Sequence, residues 1–124
     1  MRRLVCSGLC ALVPVLVAAQ PAATTAAASW SVQPSPNVST FNNFLAGVAA
    51  TSASDAWAVG TYFSTGTGQT LIQHWNGQDW AIQPSPNPGT GANDLSSVAA
   101  TSAANAWAVG SYRGLARTLV LNYR

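Results

Sequence analysis

The sequence has no Lys and no Glu, so its only formal charges are five Arg and three Asp among 124 residues. Arg2 and Arg3 belong to the extreme N-terminus, and beyond them Arg113, Arg117 and Arg124 balance Asp55, Asp79 and Asp94. Nucleic-acid binding needs clustered cations to displace counterions along the phosphates, and this chain has no such cluster. The same count disfavours attraction to an anionic membrane surface. Both cysteines, Cys6 and Cys10, fall within the first ten residues, so everything after them must be held together by packing without disulfides. Three dispersed Asp and one His give no pair of acids for glycoside hydrolysis, no metal-ligand set and no phosphate loop. No catalytic residue, metal or cofactor is therefore expected.

The N-terminus reads as an export signal. Met1, Arg2 and Arg3 form a basic segment, and Leu4 to Val17 an apolar one shorter than the roughly 20 residues of a membrane span. Two small-residue sites fit cleavage: Val17-Ala18-Ala19 before Gln20, and Ala26-Ala27-Ala28 before Ser29. Cys6 follows Val5 and Cys10 follows Leu9, an order that disfavours lipidation. Residues 1–28 are assigned to this signal and an Ala/Thr-rich leader, which implies a secreted mature chain.

Residues 29–124 contain an internal repeat, about 30–79 and 80–124. Trp30-Ser31-Val32-Gln33-Pro34-Ser35-Pro36-Asn37 returns as Trp80-Ala81-Ile82-Gln83-Pro84-Ser85-Pro86-Asn87, an offset of fifty. Val48-Ala49-Ala50-Thr51-Ser52-Ala53 and Ala56-Trp57-Ala58-Val59-Gly60 return from Val98 and Ala106 at the same offset. After Tyr62 the offset falls to forty-eight, so Thr70 to Trp75 corresponds to Thr118 to Tyr123. The two lost residues lie in the Ser64 to Gln69 loop, where deletion is tolerated.

Each unit predicts a four-stranded antiparallel meander: Leu45 to Ala50, Ala56 to Tyr62, Thr70 to Trp75 and Asp79 to Gln83. Asn76-Gly77 is a hairpin signal in which both positions favour positive φ, and Pro84 and Pro86 end the last strand. Within Ala56 to Gly60 the alternation is large against small, Trp57 and Val59 on one side and Ala56, Ala58 and Gly60 on the other. A sheet wetted on one face alternates apolar with polar instead. Large-against-small alternation suits sheets stacked on both faces, as in a propeller.

The Asp55-Ala56-Trp57-Ala58-Val59-Gly60 segment, its counterpart from Asn105 to Gly110, and the Trp75-Asn76-Gly77-Gln78-Asp79-Trp80 hairpin resemble the blades of secreted bacterial β-propellers of the kelch and galactose-oxidase-like group. The resemblance covers about Trp30 to Arg124. It lacks the Gly-Gly doublet of kelch blades, the Trp-Asp ending of WD repeats and the complete Ser-x-Asp box of sialidases. It implies an all-β fold of about two blades, read in the order D, A-B-C-D, A-B-C, with a strand near Trp30 able to complete the last blade. Two blades do not close a ring of about four to eight. A homo-oligomer, a fragment of a longer protein and an eight-stranded sandwich all remain open.

Asp55 and Asp79 are expected to bond locally in turns, with Asn105 in place of Asp55 in the second unit. His74 is expected on a strand face, with Asn122 as its counterpart. Trp57 and Trp107 read as packing between blades. Asn37-Val38-Ser39 matches a glycosylation acceptor. The best ligand candidates are loop residues: Asn43, Tyr62, Asn93 and Tyr112. The expected function is a non-catalytic binding or scaffold module for a glycan, cell-wall polymer or protein, the alternative being part of an extracellular glycoside hydrolase or lyase.

Overall fold

The computed structural model describes residues 17–113 and 117–124. Most of the expected export signal lies outside them. Residues 17–31 form a separate unit without strand or helix, exposed throughout. No helix among the described residues is long and apolar enough to cross a membrane.

The second unit, Val32–Arg124, is all-β. Its first sheet contains β1 (Asn43–Ser52), β2 (Asp55–Ser64), β3 (Thr67–Trp75) and β4 (Trp80–Gln83), in that spatial order and antiparallel throughout. The second sheet contains β5 (Asn93–Ser102), β6 (Asn105–Tyr112) and β7 (Arg117–Tyr123), again a meander. Both repeats have therefore folded to the same plan, an arrangement compatible with part of a propeller.

β1, β2 and β3 run longer than the sequence indicates and β4 begins one residue later, at Trp80, and the turns account for the difference. Thr65 and Gly66 both take positive φ, 49° and 85°, so β2 and β3 pair as far as Ser64 and Thr67 around a two-residue turn. The Asn76-Gly77 signal resolves differently. Only Gly77 has positive φ, at 96°, and Asn76 Oδ1 instead accepts from the backbone N–H groups of Gln78 and Asp79 at 2.9 Å each, an Asx turn in a longer loop. Trp30 to Gln33 carries no strand, although its sequence repeats that of β4.

In both sheets the pairing of the inner strand, β1 or β5, which lie against each other, with the next strand is irregular at matching places. Register shifts lie between Leu45 and Gly47 and between Ala50 and Ser52, and recur between Leu95 and Ser97 and between Ala100 and Ser102. These bulges tighten the twist of the inner strand. They also press it onto its neighbour: a Cβ on Gly60 would overlap the Phe44 carbonyl oxygen, and one on Gly110 the Asp94 carbonyl oxygen.

The two sheets stack with one orientation. Val59, from the large-residue face of the first sheet, joins Leu95, Ala108 and Leu119 of the second in a buried cluster, with Ile72, Val98 and Leu121 packed against it. Trp57 on the same face of β2 meets Tyr123 of β7, ring centroids 4.7 Å apart. The large face of one repeat thus sits on the small face of the next, with β5 lying across β1, β2 and β3. Full burial of each Val or Leu contributes about 1.5–3 kcal/mol.

Replacement of either bulge-facing glycine is expected to be destabilising. Gly60→Ala and Gly110→Ala should each cost about 1–3 kcal/mol as overpacking against backbone, read as a fall in the urea midpoint. An unchanged midpoint would show that the inner strand does not cross these glycines.

Candidate functional site

The four residues expected to bind ligand occupy matching places at one end of each sheet. Asn43 pairs with Tyr62 across β1 and β2, and Asn93 with Tyr112 across β5 and β6. Their amides are engaged by their own loops. Asn43 Oδ1 accepts from the Val38 N–H at 3.0 Å while Nδ2 donates to the carbonyls of Ser39 and Phe41. Asn93 repeats this with the Gly89 N–H and the carbonyls of Gly89 and Gly91. Asn93 is fully buried and has no surface to offer a ligand. An amide suits this post because it donates and accepts at once, closing a loop whose backbone groups would otherwise lack partners.

The tyrosines divide. Tyr112 packs against the intersheet core and lies under the Gly89 loop, where a Cβ on Gly89 would stand 3.0 Å from its ring. Tyr62 lines a shallow depression together with Val38 and Ile82. The four residues therefore do not converge on one pocket.

A groove that does span the two sheets at this end is lined by their neighbours in sequence: Phe44, Phe63, Asp94 and Arg113, with Thr61 and Asn93. The Phe44 and Phe63 rings meet edge to face at 6.2 Å, and half of Phe44 is exposed. Asp94 Oδ1 accepts from the Ser111 hydroxyl at 2.9 Å. Phe44 follows Asn43 and Phe63 follows Tyr62, and a step of one residue along a strand reverses the face presented. Of the four residues expected from the sequence, Asn93 alone is among the residues that line this groove.

At the opposite end of β2 and β3 the first repeat holds a polar cluster. Asp55 is the first residue of β2, buried, and its Oδ1 accepts from His74 Nε2 at 2.6 Å. Its Oδ2 accepts from the Thr51 hydroxyl across the β1–β2 turn. The imidazole in turn stacks on Trp57, centroids 4.2 Å apart and planes 28° from parallel. Asp55 therefore does the turn bonding expected of it and also fixes the strand-face histidine, a link between residues nineteen apart that no local pattern reveals. The second repeat keeps the geometry without charge: Asn105 Nδ2 donates to Thr101 Oγ1 at 3.0 Å, and Asn122 Nδ2 donates to the Ala106 carbonyl at 3.2 Å and reaches Asn105 Oδ1 at 3.4 Å. Among the described residues, no group of three His, Cys, Asp or Glu comes together as a metal site. Chemically, the cluster positions an imidazole against an indole, and its one neighbouring hydroxyl is committed to the carboxylate.

Between the sheets lies a cavity of ≈ 80 Å³ whose lining includes Trp57, Ile72, Pro84, Pro86 and Leu121. The Trp57 indole N–H is buried there without an acceptor. No protein-family model, curated protein or solved structure matches the chain.

The Thr51 hydroxyl, and after it His74, hold the Asp55 carboxyl below the usual carboxylate range, against the opposing effect of burial. A depressed folded-state pKa contributes stability in full above the unfolded value of about 3.9, lost as pH falls through the folded one. The Asp55→Asn, His74→Asn double variant, which copies the second repeat, should therefore show a smaller decline of urea midpoint than the parent on acidification from about pH 5 to pH 2. Equal declines would contradict the assignment.

Proposed function

We propose that the chain is a secreted, non-catalytic binding module of kelch-like propeller type whose ligand is a glycan, such as a cell-wall polymer. The reading is supported above all by the groove at the loop end, where Phe44 and Phe63 provide ring surface in a lining that also includes Asp94 and Arg113. Pyranose rings have apolar C–H faces that pack on aromatic rings, and hydroxyls that bond to charged groups more strongly than to neutral ones. Aromatic and polar residues line this one position, the concave apolar-with-polar combination that favours small-ligand binding.

The groove borders both sheets, so its shape depends on how the repeats stack. Asn43 and Asn93 serve it indirectly, by fixing the loops from which β1 and β5 enter. The four polar and aromatic positions expected from the sequence act in this reading as the frame, and their neighbours as the contact surface.

Affinity electrophoresis through gels containing soluble cell-wall polysaccharides tests the reading. The parent should be retarded by at least one polymer, with Phe44→Ala and Arg113→Ala each weakening binding about tenfold, the cost of losing a contact worth ~1.4 kcal/mol. Phe44 is half exposed, so its truncation should leave the urea midpoint unchanged. Retardation that survives both substitutions would move the site elsewhere, and no retardation by any polymer would overturn the glycan assignment.

A further inference from the structure

The two sheets of the chain meet through different faces, and each sheet has a second face equivalent to the one its neighbour uses. In the first sheet Trp57 and Val59 are 2% and 0% exposed against the second sheet, while their counterparts Trp107 and Val109 are 45% and 43% exposed. In the second sheet Leu95 is 2% exposed, while its counterpart Leu45 is 49% exposed and Val48 on the same face 68%. The outward face of the second sheet therefore has the composition that the first sheet buries, and the outward face of the first sheet has the composition that the second buries. The two are complementary to one another.

Three further observations give the register. β7 is an edge strand, and among the described residues no strand pairs with its outer side. Trp30-Ser31-Val32-Gln33 repeats β4, which within the chain pairs Trp75 with Trp80 and Ile72 with Gln83. Carried forward by one repeat, that ladder sets Trp30 opposite Tyr123 and Gln33 opposite Val120. The connector after it is already placed as required. Pro84 and Pro86 line the space between the two sheets. Pro36 correspondingly lies on the outer face of the first sheet, where its carbonyl accepts from Gln73 Nε2 at 2.7 Å. Gln33 and Ser35 border Leu45, Val48 and Ala58 on that face.

We propose that a second copy of this chain docks head to tail, its first sheet covering the Trp107 and Val109 face and its Trp30 to Gln33 segment adding a fourth strand to β7. The bonds that tie the connector to β3 within the chain, Thr70 N–H to Asn87 Oδ1 at 2.7 Å and Thr70 Oγ1 to Ser85 Oγ at 2.6 Å, then recur between Thr118 of one copy and Asn37 and Ser35 of the next. One position departs from the template. Gly47 lets the inner strands approach until a Cβ there would lie 3.0 Å from Ser97 Cα. Ser97 is itself the counterpart of Gly47, so its Cβ presses on Gly47 of the incoming copy. The contact between copies is therefore looser than the one within the chain. A head-to-tail contact uses unlike surfaces, and it closes into a ring or propagates as a filament according to its rotation.

Charged substitutions at exposed positions test this without disturbing the core. Light scattering coupled to size exclusion should find the parent as multimers, and Val48→Asp and Val109→Asp each as monomers with unchanged urea midpoints. Mixed together, the two variants should form a one-to-one dimer, because each retains the face that the other has lost. Ser97→Gly should shift the parent equilibrium toward the assembled form. A monomeric parent at high micromolar concentration, multimers that persist in both Asp variants, or a mixture that stays monomeric would each overturn the proposal. Glycan binding by a monomeric parent would overturn this assembly alone and leave the ligand reading standing.

Discussion

The constraint on which the rest of the structure depends is the seating of a large-residue face on a small-residue one. Trp57 and Val59 can be buried only where the opposing strand offers space, and Ala106 and Ala108 on β6 provide it. Interiors pack near crystalline density, so two large faces set together would hold the sheets apart and two small ones would leave voids. Alternation of size along β2 and β6 therefore fixes which way each repeat must face. It makes the stacking directional, and directional stacking leaves unlike faces at the two ends.

Other features follow from holding that contact in place. The bulges of β1 and β5 twist the inner strand over Gly60 and Gly110, which bring the backbone closer than any side chain would permit. The Asp55, His74 and Thr51 cluster fixes an imidazole flat against Trp57, completing the wall of the large face where it runs out of aliphatic residues. Its counterpart, Asn105 with Asn122, performs the same spacing with neutral groups beside the exposed Trp107. The Asn43 and Asn93 amides close the loops at the other end, and so set the mouth of the groove where Phe44 and Phe63 stand.

The fold was legible in the sequence because two repeats state it independently. The fifty-residue offset, the proline connector and the size alternation in Ala56 to Gly60 together define the meander and its stacking. Strand ends were less legible, since the turn at Thr65 and Gly66 depends on the φ of two residues with weak individual preferences, whereas Asn76 used its side chain for a wider loop. The site was legible only in part. Asn43, Tyr62, Asn93 and Tyr112 lie together at one end of each sheet, but only Asn93 of the four borders the groove there, and the bulges make the facing of such residues hard to count from sequence. The bond between Asp55 and His74 depends on the register of β2 with β3, which is a property of pairing and has no local signature.

The most direct test of the stacking is a methyl-labelled nuclear Overhauser measurement centred on Val59. Seating of the large face on the small one predicts cross-peaks from the Val59 methyls to Leu95, Ala108 and Leu119 of the same chain. Cross-peaks from Val59 to Val109 in their place would mean that the two large faces meet as in a sandwich, and would contradict the account.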